Sequence, residues 1–314
     1  MGNRFGISQF NEGREKLRSL LLSSIAILLG CTDAAGQQID VVVGNESRSA
    51  IVHNAPAQKD EKRPYVIVLH GGAGNSRSLK STSGFDSLAR AEGFAVAYAE
   101  GTEWAPGRFA WNTGYLLRGR IGTSDDIAYL DRLIDKLILE HGADPDRIYM
   151  TGGSNGAMMT FIYGVVRAER LAAVATVVGA MFSFDRKPKV PLPIMVVNGK
   201  KDNEVPIDGG YSGNPVVRRG QSAPYKSMAQ TIEFWKGVNR SNLPPKTIQI
   251  RDAVMTVYEG ADGGAPTVSV IDGMGGHGWP GTNPMRVDNT PIQSFDGAEL
   301  VWNFFRDKRR RPKD

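Results

Sequence analysis

The amino-acid sequence predicts an α/β fold, a mostly parallel sheet flanked by helices and contained in one domain over residues 39–306. Three observations carry that prediction. Short, apolar runs such as Tyr65 to Leu69 have the pattern of strands buried on both faces. Between them lie stretches with helical spacing of apolar residues, so strands and helices alternate along the chain. A length of 314 residues, with 41% hydrophobic and 23% charged positions, is enough to bury a large core.

The elements follow in order. Before the domain, Arg14, Lys16 and Arg18 precede ten mostly apolar residues, Leu20 to Leu29, too few to span a bilayer and of the length of a signal-peptide core. Leu28-Leu29-Gly30-Cys31 then resembles a bacterial lipoprotein signal. It predicts a signal peptide over residues 1–30, lipid on Cys31 and a tether over residues 31–38. The plainer alternative is an ordinary cleaved signal peptide with a chance cysteine. Both readings place the mature protein outside the cytoplasm, and the lipid anchor is the only membrane contact expected. Ile39 to Val43 and Ala50 to His53 read as strands, followed by the strands Tyr65 to Leu69 and Phe94 to Ala99 with a helix from Ser78 to Glu92 between them. Asp125 to Glu140 sets Ile127, Leu130, Leu133, Ile134, Leu137 and Ile138 on one helical face. Ile148 to Thr151 is a strand, Asn155 to Val166 a helix, and Ala172 to Val178 and Pro193 to Asn198 are strands. A last helix turns Leu300, Trp302, Phe304 and Phe305 into the core. In such a sheet, ligands bind at the carboxyl ends of the strands.

Composition narrows the function. The net charge of +5 gathers at the ends, +2 in residues 1–30 and +4 in residues 306–314, which leaves the body at −1. A near-neutral body without zinc-finger spacing or a Gly-Lys-Ser/Thr phosphate loop argues against nucleic acid as a partner. The basic tail, residues 307–314, reads as a frayed terminus. One cysteine excludes an internal disulfide and a Cys-rich metal site.

Gly152-Gly153-Ser154-Asn155-Gly156 stands between a predicted strand and a predicted helix. Glycines flank the serine because the chain reverses in a strained turn where Cβ atoms would collide with neighbouring elements. The turn would lift the Ser154 hydroxyl above the sheet and leave the Asn155 N–H at a helix start, where it can meet oxyanion charge. A serine nucleophile needs a base. Of His53, His70, His141 and His277, only His277 follows Ser154, as the order Ser, acid, His of the α/β-hydrolase fold requires. Asp202, just after the strand ending at Asn198, is the acid expected to hold His277, and Asp208 is the alternative. The loop His70-Gly71-Gly72-Ala73 would supply the second oxyanion donor, from Gly72 or else Ala73, with His70 a structural residue.

Taken together, Leu69-His70-Gly71-Gly72, Trp111-Asn112-Thr113-Gly114, Asp125-Asp126, Gly152 to Met159, Asn198 to Asp202, Val205 to Gly210 and Gly276 to Gly281 resemble the esterase/polyhydroxybutyrate depolymerase family, which includes feruloyl and acetylxylan esterases. The resemblance runs from about Ile39 to Phe305. It implies an α/β-hydrolase and a secreted serine esterase whose triad falls on Ser154, Asp202 and His277. Many relatives carry a cysteine pair just after the Trp-Asn segment, where this chain has Leu116-Leu117-Arg118-Gly119. Nothing like an appended substrate-binding domain follows Phe305.

The reading is therefore a secreted or lipid-anchored serine esterase that forms an acyl-enzyme on small or polymeric esters, hydroxybutyrate oligomers first and plant polysaccharide esters second. It needs no metal or cofactor. Trp111 and Trp279 are expected as flat walls for the substrate. A non-catalytic polysaccharide- or polyester-binding lipoprotein is the competing class.

Overall fold

A ten-stranded sheet organises the computed structural model, which describes residues 36–56, 61–117, 121, 123–282 and 290–310. The expected signal peptide, Cys31 and the tail beyond Arg310 lie outside the described residues. The strands are β1 (Gln37–Val43), β2 (Glu46–His53), β3 (Arg63–Leu69), β4 (Ala95–Ala99), β5 (Thr102–Ala105), β6 (Arg108–Ala110), β7 (Ala143–Gly153), β8 (Ala173–Val177), β9 (Ile194–Gly199), β10 (Lys246–Ile250), β11 (Ala253–Tyr258) and β12 (Thr267–Asp272). Strands β5 and β6 form a small hairpin, and the rest join in the order β1-β2-β4-β3-β7-β8-β9-β12-β11-β10. The block from β4 to β12 is parallel, while β2 runs antiparallel to β4 and the pair β11 and β10 antiparallel beyond β12. All six of the central strands therefore end on one edge of the sheet.

Helices cover both faces, and the strand pattern shows why. In β3, Tyr65, Ile67 and Leu69 join one apolar cluster with Tyr129, Leu133, Phe161 and Trp235. The alternate residues Val66 and Val68 join another with Phe94, Tyr149, Trp302 and Phe305. A strand buried on both sides has no polar face to show, which is the continuous apolar run read from the sequence.

The helices are α1 (Ser76–Thr82), α2 (Phe85–Glu92), α3 (Asp126–Glu140), α4 (Asn155–Val166), α5 (Pro215–Gly220), α6 (Met228–Asn239) and α7 (Gly297–Phe305). The helix expected from Ser78 to Glu92 is two helices, because Gly84 takes φ 81° and breaks the run. In α1, Asn75 and Ser78 cap each other's backbone N–H groups, so it starts two residues earlier than expected. In α7, Trp302 stacks on Phe94 with centroids 3.9 Å apart and Phe305 on Tyr149 at 4.9 Å. Each such buried aromatic contributes about 1.5–3 kcal/mol.

The basic tail departs from expectation. Its described part is docked: the Tyr149 hydroxyl donates to the Lys308 carbonyl at 2.7 Å, and Arg310 pairs with Asp146 at 2.9 Å. Asp144 and Asp146, early in β7, supply the opposite charge that holds the tail down.

Candidate active site

Strand β7 ends at Gly153 and α4 begins at Asn155, so Ser154 alone makes the turn. Its backbone has φ 53° and ψ −117°. Such a conformation costs a residue with a side chain about 1–3 kcal/mol. The turn needs its glycines: a Cβ on Gly152 would lie 2.5 Å from the Gly156 carbonyl carbon, and one on Gly156 would lie 2.3 Å from the Leu69 oxygen.

Below Ser154, β3 delivers the loop His70 to Gly74. A Cβ on Gly71 would touch Ser154 Cβ at 3.5 Å, and one on Gly72 would touch Asn155 Cβ at 3.6 Å, so the loop lies against the serine turn. The Ala73 N–H is committed to the Phe109 carbonyl at 2.9 Å. That leaves Gly72 as the donor of choice in this loop. Opposite it, Asn155 is the first residue of α4, and its N–H has no acceptor within the helix. His70 is buried, accepts from the Gly101 N–H at Nε2 (3.0 Å) and bonds the Gly71 carbonyl through Nδ1 (2.8 Å). It braces the loop, as the sequence suggested.

Asp202 follows β9 and His277 follows β12, two neighbouring parallel strands. Their loops are zipped together by Lys200 N–H to the Asp272 carbonyl (2.8 Å) and Lys201 N–H to the Gly275 carbonyl (2.9 Å). Asp272, at the end of β12, shapes the histidine loop. Its Oδ1 accepts the N–H groups of Met274 (2.9 Å) and Gly275 (2.6 Å). Asp202 is buried, and its Oδ1 accepts the N–H groups of Glu204 (2.9 Å) and Val205 (2.8 Å). Its Oδ2 lies 2.8 Å from His277 Nδ1, and His277 Nε2 lies 2.8 Å from Ser154 Oγ. A carboxylate can only accept, so Nδ1 carries the proton and Nε2 is left to accept from the serine hydroxyl. Asp208 is exposed and outside this chain of bonds.

Burial alone would lower the pKa of His277. The hydrogen bond to Asp202 opposes it, the charges of Asp202 and Glu204 add to that, and the balance lies above the ordinary value of 6.5. Glu204 is a site residue that sequence reasoning missed: its Oε2 lies 3.6 Å from His277 Nε2. Only its place two residues after Asp202 hints at the role.

The tryptophans divide. Trp111, expected to wall the substrate, has no exposed surface and cannot do so. Its indole N–H donates to the His70 carbonyl at 2.9 Å, and its backbone is clamped by the Asn155 amide through bonds of 2.7 and 3.1 Å. Trp111 therefore ties the loop His70 to Gly74 to the start of α4. Trp279 is half-buried, with its ring against Gly153 and its N–H on the Ser83 carbonyl at 3.2 Å. Beside the serine turn an unforeseen apolar cluster gathers Met158, Phe182, Val205 and Tyr225, with Tyr115 stacked on Phe182 at 4.5 Å.

A family profile described as esterase PHB depolymerase matches residues 48–214. The chain belongs to the esterase PHB depolymerase family. It is a carboxylic-ester hydrolase. The matched span of this esterase includes Gly72, Ser154 and Asp202, whereas His277 lies beyond it and is located by geometry. Among its relatives is NocK of Nocardia uniformis subsp. tsuyamanensis, an esterase by name, 29% identical over 81% of this chain and 77% of that one. The poly(3-hydroxyalkanoate) depolymerase C of Paucimonas lemoignei is 23% identical over 86% of this chain and 63% of its own length. The solved acetyl xylan esterase from Aspergillus awamori shares the α/β-hydrolase fold, with a TM-score of 0.58 at 16% identity over 86% of this chain and 99% of that one. Among the described residues of the esterase, no helix is long and apolar enough to cross a membrane, and no three His, Cys, Asp or Glu are grouped to hold a metal ion.

Proposed function

We propose that this esterase hydrolyses hydroxyalkanoate esters, hydroxybutyrate oligomers in particular, by acyl transfer through Ser154. The observation that carries the reading is the unbroken hydrogen-bonded chain from Ser154 through His277 to Asp202. Ser154 Oγ attacks the ester carbonyl while its proton passes to His277 Nε2, and Asp202 stabilises the imidazolium. The oxyanion forms toward the N–H groups of Gly72 and Asn155. The C–O bond to the alcohol then breaks, with the proton on Nε2 going to the leaving oxygen. Water repeats the sequence on the acyl-enzyme, which releases the acid and restores Ser154.

Tyr115, half-buried and stacked on the buried Phe182, and Trp279, half-buried with its ring against Gly153, offer apolar surface that suits a short acyl chain. Relatives named as feruloyl and acetylxylan esterases favour plant polysaccharide esters as the second reading. The protein is exported and held at the membrane by lipid on Cys31, which palmitate labelling lost in Cys31→Ser would support.

Release of p-nitrophenol from the butyryl ester, measured for wild type and Ser154→Ala beside hydroxybutyrate oligomers, methyl ferulate and acetylated xylo-oligosaccharides, tests the function. Turnover is expected to vanish in the variant and to be fastest on the oligomers. Undiminished turnover by a folded Ser154→Ala would sink the mechanism, and a folded wild type with no turnover would favour a binding protein.

A further inference from the structure

We propose that Glu204 is a charge filter at the catalytic histidine, which sets this esterase against ester bonds whose leaving alcohol carries a carboxylate close to the reacting oxygen. The proposal rests on the roles given above to Ser154 and His277 and adds a specificity residue to them. Glu204 Oε2 lies 3.6 Å from His277 Nε2, the atom that must hand its proton to the leaving oxygen. For that transfer the leaving oxygen comes within about 3 Å of Nε2. It therefore passes close to the glutamate carboxylate, whatever the rest of the substrate is.

The carboxylate is held in place. Its backbone N–H is bonded to Asp202 Oδ1 at 2.9 Å, and its Oε1 accepts the Asn214 amide at 3.3 Å. Asn214 is itself fixed as the N-cap of α5, its side chain accepting the Val216 N–H at 2.9 Å. The Glu204 side chain is 21% exposed, so water screens it only in part. Asp202 and Glu204 thus address opposite sides of one ring. Asp202 spends its charge on Nδ1 and two backbone N–H groups, and Glu204 faces the nitrogen where the substrate arrives.

An anionic leaving group meets like charge there. Two unit charges about 6 Å apart at an effective dielectric constant of about 40 repel enough to slow the reaction about tenfold. In a hydroxyalkanoate oligomer the bond affected is the last one, next to the free acid end. Interior bonds, whose leaving group is a neutral ester, escape the repulsion, and the oligomer is cut away from its acid end.

The test compares kcat/KM for 3-acetoxybutyrate and its methyl ester at pH 8, in wild type and in Glu204→Gln, which keeps an oxygen for Asn214. Wild type is expected to favour the methyl ester about tenfold more strongly than the variant does. Its preference should also shrink as salt is raised, a measurement that needs no variant. The same preference in both proteins, insensitive to salt, overturns the proposal. The hydroxybutyrate dimer and its methyl ester are run in parallel. Turnover of the acetyl pair alone discards the hydroxyalkanoate substrate and leaves Glu204 to be judged on the acetyl ratio, while no turnover of either pair overturns both.

Discussion

Replacing Asp202 by Asn isolates the contribution of one proton position. In the wild-type arrangement Asp202 Oδ1 receives two backbone N–H groups, from Glu204 and Val205, and Oδ2 receives the proton on His277 Nδ1. An asparagine amide has one oxygen and one NH₂. Those two backbone donors, at 2.9 and 2.8 Å, fix the oxygen on their side, because the opposite orientation would set an NH₂ against two N–H groups. The NH₂ must then face Nδ1, which becomes an acceptor, and the ring proton moves to Nε2. From there it blocks the lone pair that takes the Ser154 proton. The fold keeps its backbone contacts, yet the base is in the wrong tautomer, and kcat should fall by about 10³–10⁴. The assay is p-nitrophenyl butyrate hydrolysis under saturating substrate, with thermal unfolding of the same sample to show that Asp202→Asn is folded. A kcat within tenfold of wild type refutes the tautomer argument, and a comparable loss in Asp208→Asn would move the acid to a residue that is exposed here.

Three further outcomes follow from the same geometry. His277 works as a base only when neutral and its pKa lies above 6.5, so kcat/KM should drop with falling pH through a midpoint above 6.5; a lower midpoint contradicts the raised pKa. Trp111→Phe removes the donor to the buried His70 carbonyl and should cost about 1–3 kcal/mol in urea denaturation, with an unchanged midpoint counting against the bond. Gly199→Ala would place a Cβ 2.2 Å from the Gly275 oxygen and push the acid and histidine loops apart. A shift of about 1 Å there should lower kcat about 10²-fold, and wild-type kcat in that variant would show the loops can absorb it.

Much of the site was legible because its parts are local signals. Ser154 needs glycines on both sides because a Cβ on Gly152 would strike Gly156 within the turn and one on Gly156 would strike Leu69 of the neighbouring strand, a demand that the Gly-x-Ser-x-Gly spacing writes into a short stretch of sequence. His277 was reachable by elimination, since it is the one histidine after the serine. Other features depend on what arrives from far along the chain. Trp111 lies in a loop by its neighbours, but Asn155, 44 residues on, draws it into the core and removes it from the substrate. The pair β10 and β11 has mostly half-exposed or exposed residues, so no apolar run announced the antiparallel edge that supports β12. Arg309 and Arg310 read as solvated charge until β7 presents Asp144 and Asp146 beside them.

Glu204 joins two properties that are usually set separately. Its charge helps raise the pKa of His277, which makes the ring a stronger base but narrows the range of pH over which it is neutral. The same charge, 3.6 Å from Nε2, confronts whatever leaves from the acyl group. If both effects are electrostatic and come from one carboxylate, they cannot be tuned independently. Glu204→Gln should lower the midpoint of the acid limb and weaken the preference for neutral leaving groups in the same protein. A variant in which the selectivity changes while the midpoint stays would mean that the side chain acts by shape. The reverse, a lower midpoint with selectivity intact, would mean that the leaving group departs along a path the carboxylate does not face.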